Sequence, residues 1–132
     1  MMKLSDVKDW IEALETKFEY YYVGFLDRKK PKSLGVYQLN RNNKPLVSLG
    51  GIENTSYAIK KVSLLIHYTN ASDGTEAIAD QLYQEIMNAQ PQKIGEHEVC
   101  FVGMLTGEPI DVGRDDNGIC EYVIEFEIYY KK

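Results

Sequence analysis

The segment ICEYVIEFEIYY, residues 119–130, decides the fold of this chain. Its apolar residues fall on every second position with glutamates between them, and the turn pair Asn117-Gly118 stands just before it. Because successive strand side chains point to opposite faces, this period predicts one long β-strand. The face expected toward the core carries Cys120, Tyr122, Ile124, Phe126, Ile128 and Tyr130. The face expected toward solvent carries Glu121, Glu125 and Glu127.

Two other segments have the 3.6-residue period of amphipathic helices. The first follows a capping residue at Ser5 or Asp6, and the second begins within residues 72–74 and ends before Pro91. The apolar stripe of the first helix consists of Val7, Trp10, Ile11, Leu14 and Phe18. The apolar stripe of the second consists of Ile78, Ala79, Leu82, Tyr83, Ile86 and Met87.

The remaining extended segments supply partners for the last strand. Residues 19–26, EYYYVGFL, and residues 34–39 are expected to pair as a hairpin. Gly24 inside the first of them suggests a bulge or a close backbone approach. Shorter extended segments are expected at 46–49, after a polar turn at 41–44, and at 99–105 and 110–112.

Residues 57–69, YAIKKVSLLIHYT, are apolar on parts of both faces. A strand of that kind predicts a central position in the sheet, or a face that another subunit covers. The order of elements predicts an α+β fold, in which a mostly antiparallel or mixed β-sheet carries two α-helices on one face. With 132 residues and no boundary signal, the chain is expected to form a single domain, 1–132.

Charge is unevenly distributed along the chain. The net charge is −5, but residues 1–70 hold 11 Lys and Arg against 7 Asp and Glu, whereas residues 71–132 hold 4 against 13. Such asymmetry can steer association between copies, or both signs can mix on the folded surface. Cys100 and Cys120 fall in expected strands, which indicates buried free thiols in a cytosolic protein. No apolar run approaches the ~20 residues that span a bilayer.

The motifs of the common enzyme classes are absent from the sequence, including the P-loop, the dinucleotide-binding glycine turn and the nucleophile elbow. His67 and His97 are the only histidines, and both are expected at the surface or at a strand edge. A metal site would need carboxylates from distant parts of the chain. Residues 111–118 lack the ligand spacing of a calcium loop, so a flexible acidic hairpin is expected there. We therefore expect no enzyme activity, no cofactor and no metal.

Four cations stand within five residues of the loop that follows the first strand: Arg28, Lys29, Lys30 and Lys32. At a hairpin tip they could contact nucleic acid phosphates. An acidic protein partner fits the loop as well, because the chain is acidic overall and has no aromatic residue among these cations. A soluble tip without a partner is the third alternative.

The C-terminal part of the chain resembles a known family. Residues 113–118, GRDDNG, and residues 121–130, EYVIEFEIYY, are similar to the C-terminus of small tail proteins of long-tailed bacteriophages. These proteins are often described as minor capsid proteins and are considered tail terminators or tail-completion proteins. The first amphipathic helix, the tyrosine-rich first strands, His67-Tyr68, the helix after Asp73 and the strand with Phe101 follow in the order of that family.

The resemblance implies a structural protein of the phage neck, present in the virion after assembly in the host cytoplasm. Tail terminators assemble as hexameric rings on the tail tube, stop its polymerisation and dock to the head connector. The implied partners are other copies of the chain, the tail-tube protein and the head–tail connector proteins. No membrane is implied, and nucleic acid is met at most by passage through the ring.

Opposite charge in the two halves of the chain permits a head-to-tail contact between copies, which can close into a ring. We expect this contact, and docking onto the tube, to use Arg28, Lys29, Lys30, Lys32, Glu121, Glu125 and Glu127. Two alternatives remain at this stage. One is a head-completion or adaptor protein of the same neck, and the other is a small binding module that uses the cationic loop.

Overall fold

The computed structural model describes residues 1–14, 17–39 and 57–132. The described chain forms two α-helices, α1 (Leu4–Ala13) and α2 (Ser72–Ala89), together with a seven-stranded sheet. The strands are β1 (Tyr20–Val23), β2 (Ser33–Gln38), β3 (Tyr57–His67), β4 (Lys93–Ile94), β5 (His97–Met104), β6 (Ile110–Arg114) and β7 (Cys120–Lys131). The turn expected at 41–44 and the apolar segment expected at 46–49 lie outside the described residues.

The long strand β7 occupies the middle of the sheet, as its length and pattern predict. The strand order is β1-β2-β3-β7-β5-β4, and β6 also pairs with β7. β3 runs antiparallel to β7 from Tyr57 opposite Lys131 to His67 opposite Glu121. β6 and β5 pair with the first and second halves of the other edge of β7. The central position predicted for residues 57–69 is confirmed, and so is the α+β fold with a mixed sheet.

Both helices cover one face of the sheet. Trp10 of α1 meets Phe126 of β7 edge to face, with 6.2 Å between ring centroids. Removal of apolar surface from water, at about 25 cal/mol per Å², is what holds these layers together. The alternating residues of the strands form the core with the helices, and its fully buried members include Val7, Ile11, Leu34, Val36, Val62, Leu64, Ile66, Ile86, Ile124, Phe126 and Ile128.

The first two strands differ from the expected hairpin, because β1 and β2 are parallel. Parallel strands need a crossover connection, and residues 24–32, here called the crossover loop, provide it on the face opposite the helices. The predicted hairpin is therefore wrong. Gly24 ends β1 with a φ of +77°. The close approach occurs instead at Gly35, where an added Cβ would lie 3.3 Å from Leu26 Cδ1.

The helix α1 is shorter than predicted. It begins after Lys3, and the Asp6 carboxylate accepts a hydrogen bond from the Lys3 backbone N–H at 3.0 Å, so Asp6 acts from inside the first turn. Phe18 lies beyond the end of the helix and packs against the rings of Tyr21 and Tyr68. Neither described helix is long and apolar enough to cross a membrane.

The strand β5 contains a bulge at Cys100, between Val99 opposite Tyr130 and Phe101 opposite Tyr129. A bulged residue is unpaired and the strand bends there. Cys100 is exposed and Cys120 is buried, so the prediction of two buried thiols is correct for Cys120 alone.

The outer edge of β5 pairs with β4 at His97 and Glu98, and at Val102 it is covered by the side chain of Gln90, which follows α2 with a φ of +35°. Gln90 Nε2 donates to the Val102 carbonyl oxygen at 3.1 Å, and Gln90 Oε1 accepts from the Val102 N–H at 3.2 Å. The amide makes at Val102 the two hydrogen bonds that a neighbouring strand would make.

Candidate functional site

The crossover loop covers one half of the sheet face that the helices leave open. The Arg28 carbonyl oxygen accepts a hydrogen bond from His67 Nε2 at 3.1 Å, and the Arg28 guanidinium donates to Glu121. At the end of the loop, the Lys32 N–H donates to the Tyr68 carbonyl oxygen at 2.8 Å. The loop is therefore attached to both central strands, β3 and β7.

His67 and Glu121 lie directly opposite each other on β3 and β7, beneath this loop. His67 is fully buried and Glu121 is 7% exposed. His67 Nδ1 lies 2.9 Å from Glu121 Oε2. The predictions that Glu121 faces solvent and that His67 lies at the surface are both wrong, because the crossover loop covers this end of the face.

The turn between β6 and β7 brings a second carboxylate to the same place. Asp115 Oδ1 accepts hydrogen bonds from the Asn117 and Ile119 N–H groups, each at 2.9 Å, which is the usual role of aspartate in such turns. Burial acts to raise the pKa of the Asp115 carboxyl, but these two bonds and the nearby cations outweigh it, and the pKa lies below its ordinary value. Asp115 Oδ2 points at His67 Nδ1, 3.7 Å away. The hairpin expected over 111–118 is present.

Arg28, His67, Asp115 and Glu121 together form what we call the polar cluster. The Arg28 side chain is 53% exposed, and its hydrogen bond to Glu121 raises the pKa of the guanidinium. One atom of the cluster is different: Asp115 Oδ2 is buried and has no hydrogen-bond partner. His67, Asp115 and Glu121 each offer one metal-ligating atom, and these atoms lie within 4.8 Å of one another. The cluster can anchor the loop and the turn on the sheet, and it can hold a cation.

The other half of this sheet face, called the open half-face because Tyr57 and Phe101 are exposed there among the described residues, carries a row of aromatic rings on three adjacent strands. Tyr57, Tyr129 and Phe101 come from β3, β7 and β5, with centroid separations of 6.0 Å and 5.6 Å along the row. Phe101 is 52% exposed. Exposed aromatic groups in a row are typical of a protein contact surface, since each ring offers a large apolar area.

Glu125 and Glu127 belong to the open half-face. They lie opposite Ser63 and Lys61 of β3, and both are half-buried. The Tyr129 hydroxyl donates to Glu127 Oε1 at 2.8 Å, and this bond, together with burial, raises the pKa of Tyr129. Two of the three predicted glutamates thus share a surface, and Glu121 is separated from them by the crossover loop.

The lysines of the crossover loop are not members of the polar cluster. Lys29 and Lys30 are exposed, and Lys32 is half-buried. Lys30 Nζ lies 5.5 Å from the centre of the Tyr20 ring, and Lys32 Nζ lies 5.9 Å from that of Tyr68. The fold brings to these cations the aromatic rings that their own segment lacks.

A groove of about 430 Å³ lies between α2 and the loop after β5. Its lining includes Asp73, Glu76, Asp80, Glu108 and Tyr122. The Tyr122 hydroxyl donates to Glu76 at 3.2 Å, and burial followed by this bond raises the pKa of Tyr122 to about 12. A tyrosine of this kind is protonated at neutral pH, so the described lining offers carboxylates without an activated nucleophile.

Sequence reasoning did not find the polar cluster. His67 and Asp115 are 48 positions apart in the chain, and no short motif connects them. The usable signal was the pattern of residues 57–69, whose second face ends in a histidine directly after apolar positions. A polar ring at the end of a partly apolar face indicates a buried partner.

Comparison with known protein families identifies a family that matches nearly the whole sequence. The sequence profile of a family described as "Bacteriophage tail terminator protein" matches residues 3–132. No curated protein matches the chain. The matched range includes both helices and every described strand.

Proposed function

This chain belongs to the bacteriophage tail terminator family, and from that premise we propose that it ends the growth of a phage tail tube. The chain assembles as a hexameric ring on the last layer of the tube, and the far side of the ring docks to the head connector. The observation that carries the proposal is the family match over residues 3–132. The role is structural, in the tail of the virion, and the match favours a terminator over a head-completion protein or an isolated binding module.

The contact between neighbouring copies uses two different patches of one subunit, as a closed ring requires. One patch is the outer side of the crossover loop, with Lys29, Lys30 and Lys32. The other is the open half-face, whose aromatic row would be covered by the neighbour and whose carboxylates are Glu125 and Glu127. Opposite charges on the two patches set the orientation in which copies meet.

Arg28 and Glu121 were also expected at this contact, and their positions change that expectation. They bind each other within one chain, at 2.5 Å between Arg28 Nη1 and Glu121 Oε2. Their role is to fix the shape of the crossover loop, which then presents the three lysines. Viral DNA meets the ring by passing through its channel, and no other nucleic acid contact is part of the proposal.

The first experiment mixes the chain with the tail-tube protein and follows assembly by electron microscopy. The expected result is tubes that carry a terminal ring and stop growing, while tubes without the chain continue to lengthen. Light scattering should give six times the mass of one chain in the ring. Monomeric chain together with unrestricted tubes would contradict the proposal.

The second experiment tests the two patches by charge reversal. Replacing Lys29 and Lys30 by glutamate should prevent ring formation, and adding Glu125→Lys and Glu127→Lys should restore it. The matched control replaces two exposed lysines elsewhere, Lys17 and Lys93, by glutamate and should leave assembly unchanged. A loss of assembly in the control equal to that in the first variant would remove the assignment of the patches, while leaving the terminator function standing.

A further inference from the structure

The two nitrogens of the His67 ring face acceptor atoms, and this determines the chemistry of the polar cluster. Nε2 lies 3.1 Å from the Arg28 carbonyl oxygen, which can only accept a hydrogen bond, so Nε2 carries a hydrogen. Nδ1 faces Glu121 Oε2 at 2.9 Å and Asp115 Oδ2 at 3.7 Å. Nδ1 and Glu121 Oε2 are both electron-pair donors at hydrogen-bonding distance, so a proton or a metal ion must lie between them, and Asp115 Oδ2 faces the same nitrogen.

A proton on Nδ1 satisfies only part of this arrangement. It would make one hydrogen bond to Glu121, because 3.7 Å is too long for a second bond to Asp115. Asp115 Oδ2 would remain buried and without a hydrogen-bond partner, as it is in the structure, because its side chain is only 5% exposed and no donor reaches it. An unpaired buried carboxylate oxygen is unfavourable, and this atom points into the cluster.

A divalent cation would satisfy all three donors at once. Zn²⁺ binds imidazole nitrogen and carboxylate oxygen at about 2.0–2.2 Å, which places neighbouring ligand atoms of a tetrahedral site about 3.4 Å apart. The Nδ1 distances of 2.9 Å and 3.7 Å to the two carboxylates lie on either side of that value. The hydrogen bond from Nε2 to a backbone carbonyl is also the usual support of a metal-binding histidine, since it fixes the tautomer and the ring orientation.

Arg28 is the group that a metal would displace. Its guanidinium binds the same oxygen, Glu121 Oε2, that faces His67. Because this side chain is half exposed, it can leave Glu121 for water while its backbone carbonyl stays on His67. Arginine and metal ion therefore compete for Glu121, and the arginine supplies the positive charge when no metal is bound.

We propose that His67 Nδ1, Asp115 Oδ2 and Glu121 Oε2 form a binding site for one divalent transition-metal ion of the Zn²⁺ type. The bound ion joins the turn before β7 to the two central strands and holds the base of the crossover loop. This metal site is separate from the terminator function, and it is tested on the isolated chain. Its failure would leave the ring proposal intact.

The test is calorimetric titration of chelator-treated protein with ZnCl₂, using variants matched to the geometry. The wild type should bind one Zn²⁺ per chain. Asp115→Asn keeps an oxygen for the turn and replaces only the ligand atom, so it should lower the affinity by at least about tenfold. Asp116→Asn, an exposed neighbour in the same turn, should not change it. Arg28→Gln should raise the affinity by about tenfold, since a competing positive charge is removed.

A second measurement identifies the atom. In ¹⁵N spectra of the histidine rings, Zn²⁺ should shift the Nδ1 resonance of His67 and leave that of His97 in place, with Trp10 fluorescence confirming that each variant is folded. If neither the wild type nor Arg28→Gln binds Zn²⁺, the position holds a proton and the proposal is wrong. Equal loss of binding in the Asp115 and Asp116 variants would also overturn it.

Discussion

Replacing Glu121 by alanine tests the most specific feature of the fold, the burial of one glutamate among three on the same face of β7. The matched control is Glu127→Ala, which changes the same residue type on the same strand and face. The alternating pattern of the sequence predicts the same solvent-facing position for both residues. The structure places Glu121 under the crossover loop, bound to His67 and Arg28, and places Glu127 on the open half-face.

The expected size of the effect follows from the exposure of the two partners. His67 is fully buried, so its Nδ1 cannot exchange Glu121 for water, and leaving such a group unpaired costs about 1–3 kcal/mol. Arg28 is half exposed and regains water, so the loss of its ion pair adds at most about 1 kcal/mol. The free energy of unfolding should therefore fall by about 1–4 kcal/mol. Glu127→Ala loses one bond to a tyrosine that can reach water, which should cost less than about 1 kcal/mol.

The assay is equilibrium unfolding in urea at neutral pH with a chelator present. The single tryptophan, Trp10, packs on Phe126 in the core and reports unfolding by fluorescence, with circular dichroism as the second probe. Glu121→Gln, which keeps the shape and one acceptor, should fall between the wild type and the alanine variant. Equal destabilisation by the Glu121 and Glu127 substitutions would refute the assignment of Glu121 as the buried anchor of the loop.

Three further predictions concern other parts of the molecule. The raised pKa of Tyr129 means that its neutral form is stabilised in the folded state, so this contribution is present below about pH 10 and is lost as pH rises through the folded pKa. Glu127→Gln should lower the titration midpoint of the Tyr129 ring, followed by its own NMR resonance because the chain has ten tyrosines, and an unchanged midpoint would rule out the bond as the cause. Gln90→Ala should lower the free energy of unfolding by about 1–3 kcal/mol, because two hydrogen bonds to β5 are lost. Gln90→Glu retains only the acceptor, so its free energy of unfolding should lie between those of the wild type and the alanine variant. An alanine variant with the urea midpoint of the wild type would contradict this prediction. Thiol titration of the native chain should label Cys100 quickly and Cys120 only after unfolding, and rapid labelling of both would contradict the burial of Cys120 in the core.

The sequence predicted those parts of the fold that depend on local periodicity. The alternation in residues 119–130 predicted β7 and its buried face, and the mixed character of residues 57–69 predicted the central place of β3. Both patterns reflect which face of an element meets the core, and that is set by each segment on its own.

The direction of β2 and the burial of Glu121 could not be predicted in this way. Whether β2 pairs parallel or antiparallel with β1 depends on the path of the crossover loop, and its nine residues are fewer than the roughly a dozen that a parallel connection usually takes, so the sequence favoured a hairpin. The burial of Glu121 and His67 is a consequence of that path. Pattern analysis could therefore indicate at most a partner for His67, and it could not assemble the candidate site, because the four side chains come from three separated parts of the chain.

The amide of Gln90 helps to protect one edge of the sheet from pairing with other chains. An unprotected strand edge recruits any passing extended segment, which is how folded proteins begin to polymerise without control. On the outer edge of β5, β4 already pairs with His97 and Glu98, and the Gln90 amide satisfies the backbone of Val102, so these positions cannot accept a further strand. A two-residue strand and one side-chain amide of the same chain therefore protect this edge from uncontrolled strand pairing.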